Sequence, residues 1–155
     1  MDTIPTILKS TRRIAVVGAS DKPERAGNYV FGFLVAHGYD VVGVNPGLAG
    51  RTLHGRPVVA TLAEAGPLDM VDIFRASDQA GAVVDEAIRL GARTVWLQLG
   101  VVDAAAGARA LGAGLRVVMD RCPMQEWLPA LEAEQLADQI ALATTALANN
   151  SRDVT

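Results

Sequence analysis

A chain of 155 residues is expected to form one domain, and with half its residues hydrophobic but only 5% aromatic its core must be built from Val, Leu, Ile and Ala. A formal net charge of -3 argues against general nucleic-acid binding, which calls for a basic face, and the single cysteine, Cys122, excludes an intramolecular disulfide and a cysteine-held zinc cluster. No apolar run approaches the length of a membrane span, the opening "MDTIPTILKSTRR" has no signal-peptide core, and a lone cysteine suits a reducing compartment, so a soluble cytoplasmic domain is expected.

In chain order, residues 3–10 read as a short helix with Pro5 in its first turn and Ile4, Ile7 and Leu8 inward. Residues 14–17, Ile-Ala-Val-Val, read as a buried strand that meets Gly18 and a polar loop. A helix over 28–37 carries Val30, Phe31, Leu34 and Val35 on one side, and "HGYD" turns into a strand over 41–44 that ends at "NPG". Beyond a glycine-containing loop come Val58-Val59 and a short "LAEA" turn. A strand over 70–74, a helix over 78–90 capped by Ser77 or Asp78 and closed by Gly91, and a strand over 94–99 follow. The series ends with a helix over 103–111 and a strand over 115–119. This βαβ repetition predicts a Rossmann-like, doubly wound parallel sheet of about five strands with helices on both faces and right-handed crossovers.

The last part of the chain stands outside that pattern. Residues 127–148 read as an extra C-terminal helix starting near Pro129. Leu128, Leu131, Leu136, Ile140, Ala143 and Leu147 form a stripe along it, and the tail "NNSRDVT" is expected to fray. The division expected is a sheet domain over 1–125 and, over 126–155, a helix and polar tail packed on that domain or lying at a homodimer interface.

In an open doubly wound sheet the ligand crevice lies beyond the carboxyl ends of the strands. The residues to inspect are therefore Gly18-Ala19-Ser20, Asn45-Pro46-Gly47, Arg75-Ala76-Ser77 and Gly100-Val101. The loop from Gly18 departs from the G-x-G-x-x-G fingerprint, and it adds Lys22 and Arg25 beside a helix N-terminus, a combination suited to phosphate. Two readings stand at this point: an anion site, or a plain strand-to-helix turn with solvated cations. NAD fits poorly. Its ribose wants an acid after the second strand, where this chain has Asn45-Pro46, while Asp40 lies before that strand.

The blocks "IAVVGASDKPERAG", "VVGVNPGLAGRTLHGRPVVATLAEA", "VDIFRAS", "WLQLGV" and "VVMDRC" resemble, in order and spacing, the small stand-alone CoA-binding proteins of bacteria. More distantly they resemble the CoA-binding domain of succinyl-CoA synthetase α chains and ADP-forming acyl-CoA ligases. The resemblance covers about residues 10–122 and implies coenzyme A, or an acyl-CoA, as the ligand. Its nucleotide would lie at the 18–27 loop and its pantetheine arm along the strand ends. Gly18, Ser20, Lys22 and Arg25 would face the phosphates, and Asn45, Pro46, Phe74 and Arg75 would line the adenosine or the arm, with Ala19 and Gly100 also among the binding residues. The ligases carry their catalytic histidine on a second domain, which this chain has no room for. After "MDRC" the chain reads "PMQEW", so Trp127 stands near where small family members carry a histidine.

The remaining candidates have plainer readings. His37 suits a helix C-terminus, His54 has no dyad partner, and neither is placed for a metal. Asp69 and Asp72 are expected to anchor turns or helix ends, Asp85 and Glu86 to be solvated, and Trp96 to be core. Gln98 is a polar residue in an apolar run, facing either the crevice or a helix. Cys122, beside Arg121, is either a reactive thiol or a buried inert one. With no nucleophile, base and orienting group together, non-catalytic CoA binding is expected. The alternatives are an NAD(P)-type oxidoreductase, one component of a split acyl-CoA ligase, or an interaction module with a vestigial crevice. No nucleic-acid, membrane or metal partner is expected.

Overall fold

The computed structural model describes residues 3–152. A short helix α1 (Ile4–Ser10), capped by the Thr3 hydroxyl, leads into β1 (Arg13–Val17), with Ile7 and Leu8 buried as expected. Then come α2 (Ala26–Ala36), β2 (Asp40–Val44), β3 (Thr52–Leu53), β4 (Arg56–Val59) and β5 (Met70–Ile73). The second half runs α3 (Ser77–Arg89), β6 (Thr94–Leu97), α4 (Ala104–Gly112), β7 (Arg116–Val118) and α5 (Pro123–Arg152).

The seven strands lie in the order β3-β4-β2-β1-β5-β6-β7. Every pairing is parallel except β3 with β4. The α/β, Rossmann-like class expected from the sequence is therefore present, and the sheet is wider than five strands by the β3–β4 hairpin. That hairpin turns on His54 and Gly55, both at positive φ (46° and 77°), the two-residue turn whose twist suits paired strands.

Both faces of the sheet are covered because its inner strands are apolar on both sides. In β1, Ala15 and Val17 face one layer with Val84 of α3 and Ala106 of α4. Ile14 and Val16 face the other, with Leu8 of α1 and Phe31 of α2. Fully burying a side chain such as Phe31, Leu34 or Trp96 stabilises by about 1.5–3 kcal/mol each, so the layers hold without a disulfide. The chain leaves β1 toward β2 on one side and enters β5 on the other. The switch in strand order thus falls between β1 and β5, and a crevice opens at their carboxyl ends.

Several boundaries differ from the sequence expectation. The N-cap of α3 is Ala76, without a side-chain bond. The Ser77 hydroxyl instead accepts from Val102 N (3.0 Å), so it tethers the loop after β6. Helix α5 begins at Pro123, earlier than expected, because Pro123 fills the first helical position and leaves Pro129 within the helix. The segment 149–152, expected to fray, continues α5; residues 153–155 of that tail lie outside the described residues.

The start of α5 is anchored: Trp127 meets the rings of Phe33 (5.8 Å) and His37 (4.4 Å) edge-on. Farther along, Leu136, Ile140, Leu142 and Leu147 are all more than half exposed. This half of the stripe is not covered by the chain's own sheet, while the side chains of Leu128 and Leu131 lie outside the described residues.

Candidate functional site

The crevice is shaped by glycines whose missing side chains are a packing requirement. Gly18 ends β1 at φ +89°, and a Cβ there would stand 2.3 Å from the Phe74 carbonyl oxygen. A Cβ on Gly27 would stand 2.4 Å from the Gly18 carbonyl oxygen. The end of β1, the start of α2 and the end of β5 therefore approach backbone to backbone, which sets the N-terminus of α2 over the strand ends.

Short polar bonds hold the intervening loop. Lys22 N donates to Ser20 Oγ (3.1 Å), Asn28 Nδ2 to the Ser20 carbonyl (2.9 Å), and Asn45 Nδ2 to the Ala19 carbonyl (2.8 Å). Asn45 also accepts from Gly47 N at 2.9 Å. Asn45 thus braces the loop with its amide nitrogen and caps its own turn with its amide oxygen. Asn28 is fixed in turn by His54, whose Nε2 lies 3.1 Å from Asn28 Oδ1. His54 is therefore a buttress for α2.

The crevice has a volume of about 610 Å³, within the range of small-ligand sites. Eight of the ten residues expected at the site line it: Gly18, Ala19, Ser20, Lys22, Arg25, Asn45, Phe74 and Arg75. Pro46 lines an adjoining cavity of about 400 Å³ on the α3 side, shared with Gly18 and Arg75. Gly100 is exposed in the turn after β6, where its N–H donates to Asp120 Oδ1 (2.7 Å). Leu48, Leu99, Val101 and Gln98 also line the crevice; Val101 stood among the strand-end residues to inspect, whereas Leu48 and Leu99 carried no signal in the sequence. Only the alternation of β6 hinted at Gln98.

The charge arrangement is uneven. Arg25 caps α2 with its backbone and offers no side-chain acceptor, so the first N–H groups of the helix remain for an external anion. Lys22 and Arg25 are exposed at that end. No ion pair is found for either among the described residues. Arg75 is steadied by Gln79 (2.8 Å), and Asp21 is drawn toward Arg51 (3.6 Å). Asp40 lies at the start of β2, at the opposite edge of the sheet, where it is paired with Arg13 (2.7 Å) and Arg56. It cannot serve a ribose in the crevice.

Other candidates resolve into structural roles. Asp69 accepts from the backbone N–H groups of Arg12 and Arg13, both at 3.0 Å. The Arg13 bond in particular holds its carboxyl below the usual range. Asp85 is bound to Arg109 (2.8 Å) rather than simply solvated. Trp96 is core, and its Nε1 donates to the Arg121 carbonyl. Cys122 is 3% exposed in the cluster with Trp96 and Val118, away from the crevice. Asp72 departs from expectation: it anchors no turn but is wholly buried within β5, without a hydrogen-bond partner. Burial alone pushes its carboxyl well above the usual carboxylate range.

An open parallel sheet with helices on both faces and a crevice at its switch point defines a Rossmann-like α/β domain. The family model of the CoA binding domain matches residues 12–127, and the chain belongs to that family. Uncharacterized protein YneT of Bacillus subtilis (strain 168) is 37% identical over 120 residues, spanning 77% of this chain and 87% of that protein. A hypothetical protein from Pyrococcus horikoshii OT3 is 37% identical with a TM-score of 0.77, the match covering 83% of this chain and 89% of that one. A Thermus thermophilus structure gives 35% and 0.76, covering 80% and 93%. The dinucleotide forming acetyl-coenzyme A synthetase 1 of Ca. Korarchaeum cryptofilum shares the fold at 23% identity and a TM-score of 0.59. That match covers 70% of this chain and 26% of the synthetase chain. Among the described residues no helix is long and apolar enough to cross a membrane, and no group of His, Cys, Asp or Glu is arranged to hold a metal ion.

Proposed function

We propose that this protein binds coenzyme A, or an acyl-CoA, in the crevice at the strand ends and performs no catalysis of its own. The observation that carries this reading is the 18–27 loop. Backbone-to-backbone packing through Gly18 and Gly27 presents the α2 N-terminus, and Lys22 and Arg25 stand beside it without ion-pair partners, in a chain of the CoA binding domain family. The diphosphate sits at the helix end, where N–H groups and cations favour negative charge. Gly18, Ala19 and Ser20 admit its close approach. One end of the ligand runs toward Asn45, Pro46 and Leu48, and the other passes Phe74 and Arg75 toward the loop that includes Gly100. Neither histidine and no cysteine borders the crevice.

The test is a thermal-shift series with CoA, acetyl-CoA, NAD, NADP, ATP and ADP. A ligand at a hundred times its Kd stabilises a folded protein by about 2.7 kcal/mol, so a specific ligand stands out clearly. CoA or acetyl-CoA gives the largest rise in Tm; a larger rise with NAD overturns the assignment.

A second copy of the chain is proposed as the cover for the outer half of α5. Leu136, Ile140, Ala143 and Leu147 recur at the spacing of a coiled-coil seam, and Leu136, Ile140 and Leu147 are exposed. In a parallel pair the acidic segment 132–138 would lie alongside its own counterpart. An antiparallel pair sets that acidic half against the uncharged segment 141–148 and also opposes the helix dipoles. The homodimer is therefore antiparallel along α5, and the cytoplasm is its proposed compartment.

A further inference from the structure

Three buried oxygen atoms near the crevice have no hydrogen-bond partner: Oδ1 and Oδ2 of Asp72 and Oε1 of Gln98. Asp72 is 0% exposed in β5, and Gln98, 6% exposed, directly follows β6. Val71 and Ile73 belong to the α3–α4 layer and Met70 to the α2 layer, so the alternation of β5 puts Asp72 on the α2 side. Val95, Trp96 and Leu97 alternate in the same way, and this puts Gln98 on that side too. Asp72 pairs in register with Trp96 and Ile73 with Leu97, while Gln98 N donates to the Ile73 carbonyl (3.2 Å). Gln98 is thus the diagonal neighbour of Asp72, at a separation a long side chain spans.

A buried corner holding only acceptors is unfavourable, and an ionised carboxylate without a cation is more so. Burial already favours the neutral form of Asp72. A neutral carboxyl carries one O–H, the donor this corner lacks. We infer that Asp72 is a protonated carboxylic acid donating to Gln98 Oε1, and that this bond fixes the Gln98 amide with its Nε2 hydrogens toward the crevice, where they recognise a carbonyl oxygen on the ligand's arm.

This inference rests on the CoA reading and deepens it. The phosphates are drawn to the α2 end, and the remaining wall beyond β5 is Leu99, Val101 and Gln98. An aliphatic wall with one fixed amide donor suits a chain interrupted by amide or thioester carbonyls, which is the chemistry of pantetheine and its acyl derivatives. Gln98 is then a binding residue, and Asp72 a positioning residue that acts through it.

Calorimetry with CoA and with adenosine 3′,5′-bisphosphate, which lacks the arm, tests the assignment. Gln98→Leu is expected to weaken CoA by about ten-fold, the value of one well-formed hydrogen bond, and to leave the bisphosphate unchanged. Asp72→Asn, which keeps an N–H donor for Oε1, retains CoA affinity, whereas Asp72→Leu reproduces the Gln98→Leu loss. The carbon-13 signal of the Asp72 carboxyl in the wild-type protein is that of a neutral acid at pH 6. If Gln98→Leu binds CoA as tightly as wild type, or loses both ligands equally, Gln98 does not read the arm. An ionised-carboxylate signal at pH 6 overturns the Asp72–Gln98 bond. Should wild type bind neither ligand, the CoA reading itself falls, and the carboxyl signal still decides the state of Asp72. If Asp72→Leu does not fold, the other two variants and the spectrum carry the result.

Discussion

Replacing Asp72 by Asn should stabilise the protein at neutral pH, by an amount that depends on pH in a defined way. Asp72 is fully buried with no partner, and burial raises its pKa in the folded state. Above the unfolded-chain value of about 3.9 the unfolded protein releases this proton and the folded protein keeps it. The wild type therefore loses about 1.4 kcal/mol of stability per pH unit from this group until the folded-state pKa is passed. The stabilising contribution is full below the unfolded value and declines as pH rises. Asparagine has no proton to release and preserves both the shape and a donor for Gln98 Oε1. The gap between variant and wild type should widen by about 1.4 kcal/mol per pH unit above about pH 4 for as long as the folded protein keeps the proton, or about 3–6 °C in Tm per unit for a chain of this size. The ionisable side chains against that layer include Cys122, Tyr39, His54 beside Phe31 and His37 beside Phe33 and Trp127, and all of them are the same in both proteins. Urea unfolding followed by the fluorescence of the buried Trp96 measures the gap. A gap that stays constant with pH, or narrows as pH rises, refutes the argument that Asp72 is protonated when folded.

Gly27→Ala should destabilise by about 1–3 kcal/mol despite alanine's better helix propensity, because its Cβ would stand 2.4 Å from the Gly18 carbonyl oxygen; a raised Tm would contradict this. Lys22→Ala and Arg25→Ala should each weaken CoA by up to about ten-fold to a hundred-fold, with dephospho-CoA less affected by whichever residue meets the 3′-phosphate. Equal losses for both ligands in calorimetry would place that residue on the diphosphate or on nothing specific. Ile140→Glu and Leu147→Glu, on the exposed half of α5, should convert a dimer to a monomer in sedimentation with little change in CoA binding. A wild type that sediments as a monomer would remove the α5 pairing altogether.

What the sequence determined by itself was the local patterning. Short β-branched runs alternating with helical stripes specify a parallel sheet covered on both faces, since the two periods differ and each must bury its apolar side. Gly18, Lys22 and Arg25 were legible as a candidate anion loop because a glycine after a buried strand and cations before a helix are contiguous in the chain. The β3–β4 hairpin was not. A two-residue strand has no period to detect, and His54 occupies a positive-φ turn position more often held by Asn or Gly. Nor could the sequence assign Asn45 its bond to Ala19, or separate Pro46 from the main crevice, because both depend on how the turn after β2 packs against another strand's loop. The meeting of Asp72 with Gln98 belongs wholly to the tertiary structure. They are 26 positions apart and become neighbours only through the register of β5 with β6. An aspartate that reads as a turn anchor becomes a buried acid because the packed chain encloses it without a hydrogen-bond partner, a condition that only the tertiary structure creates.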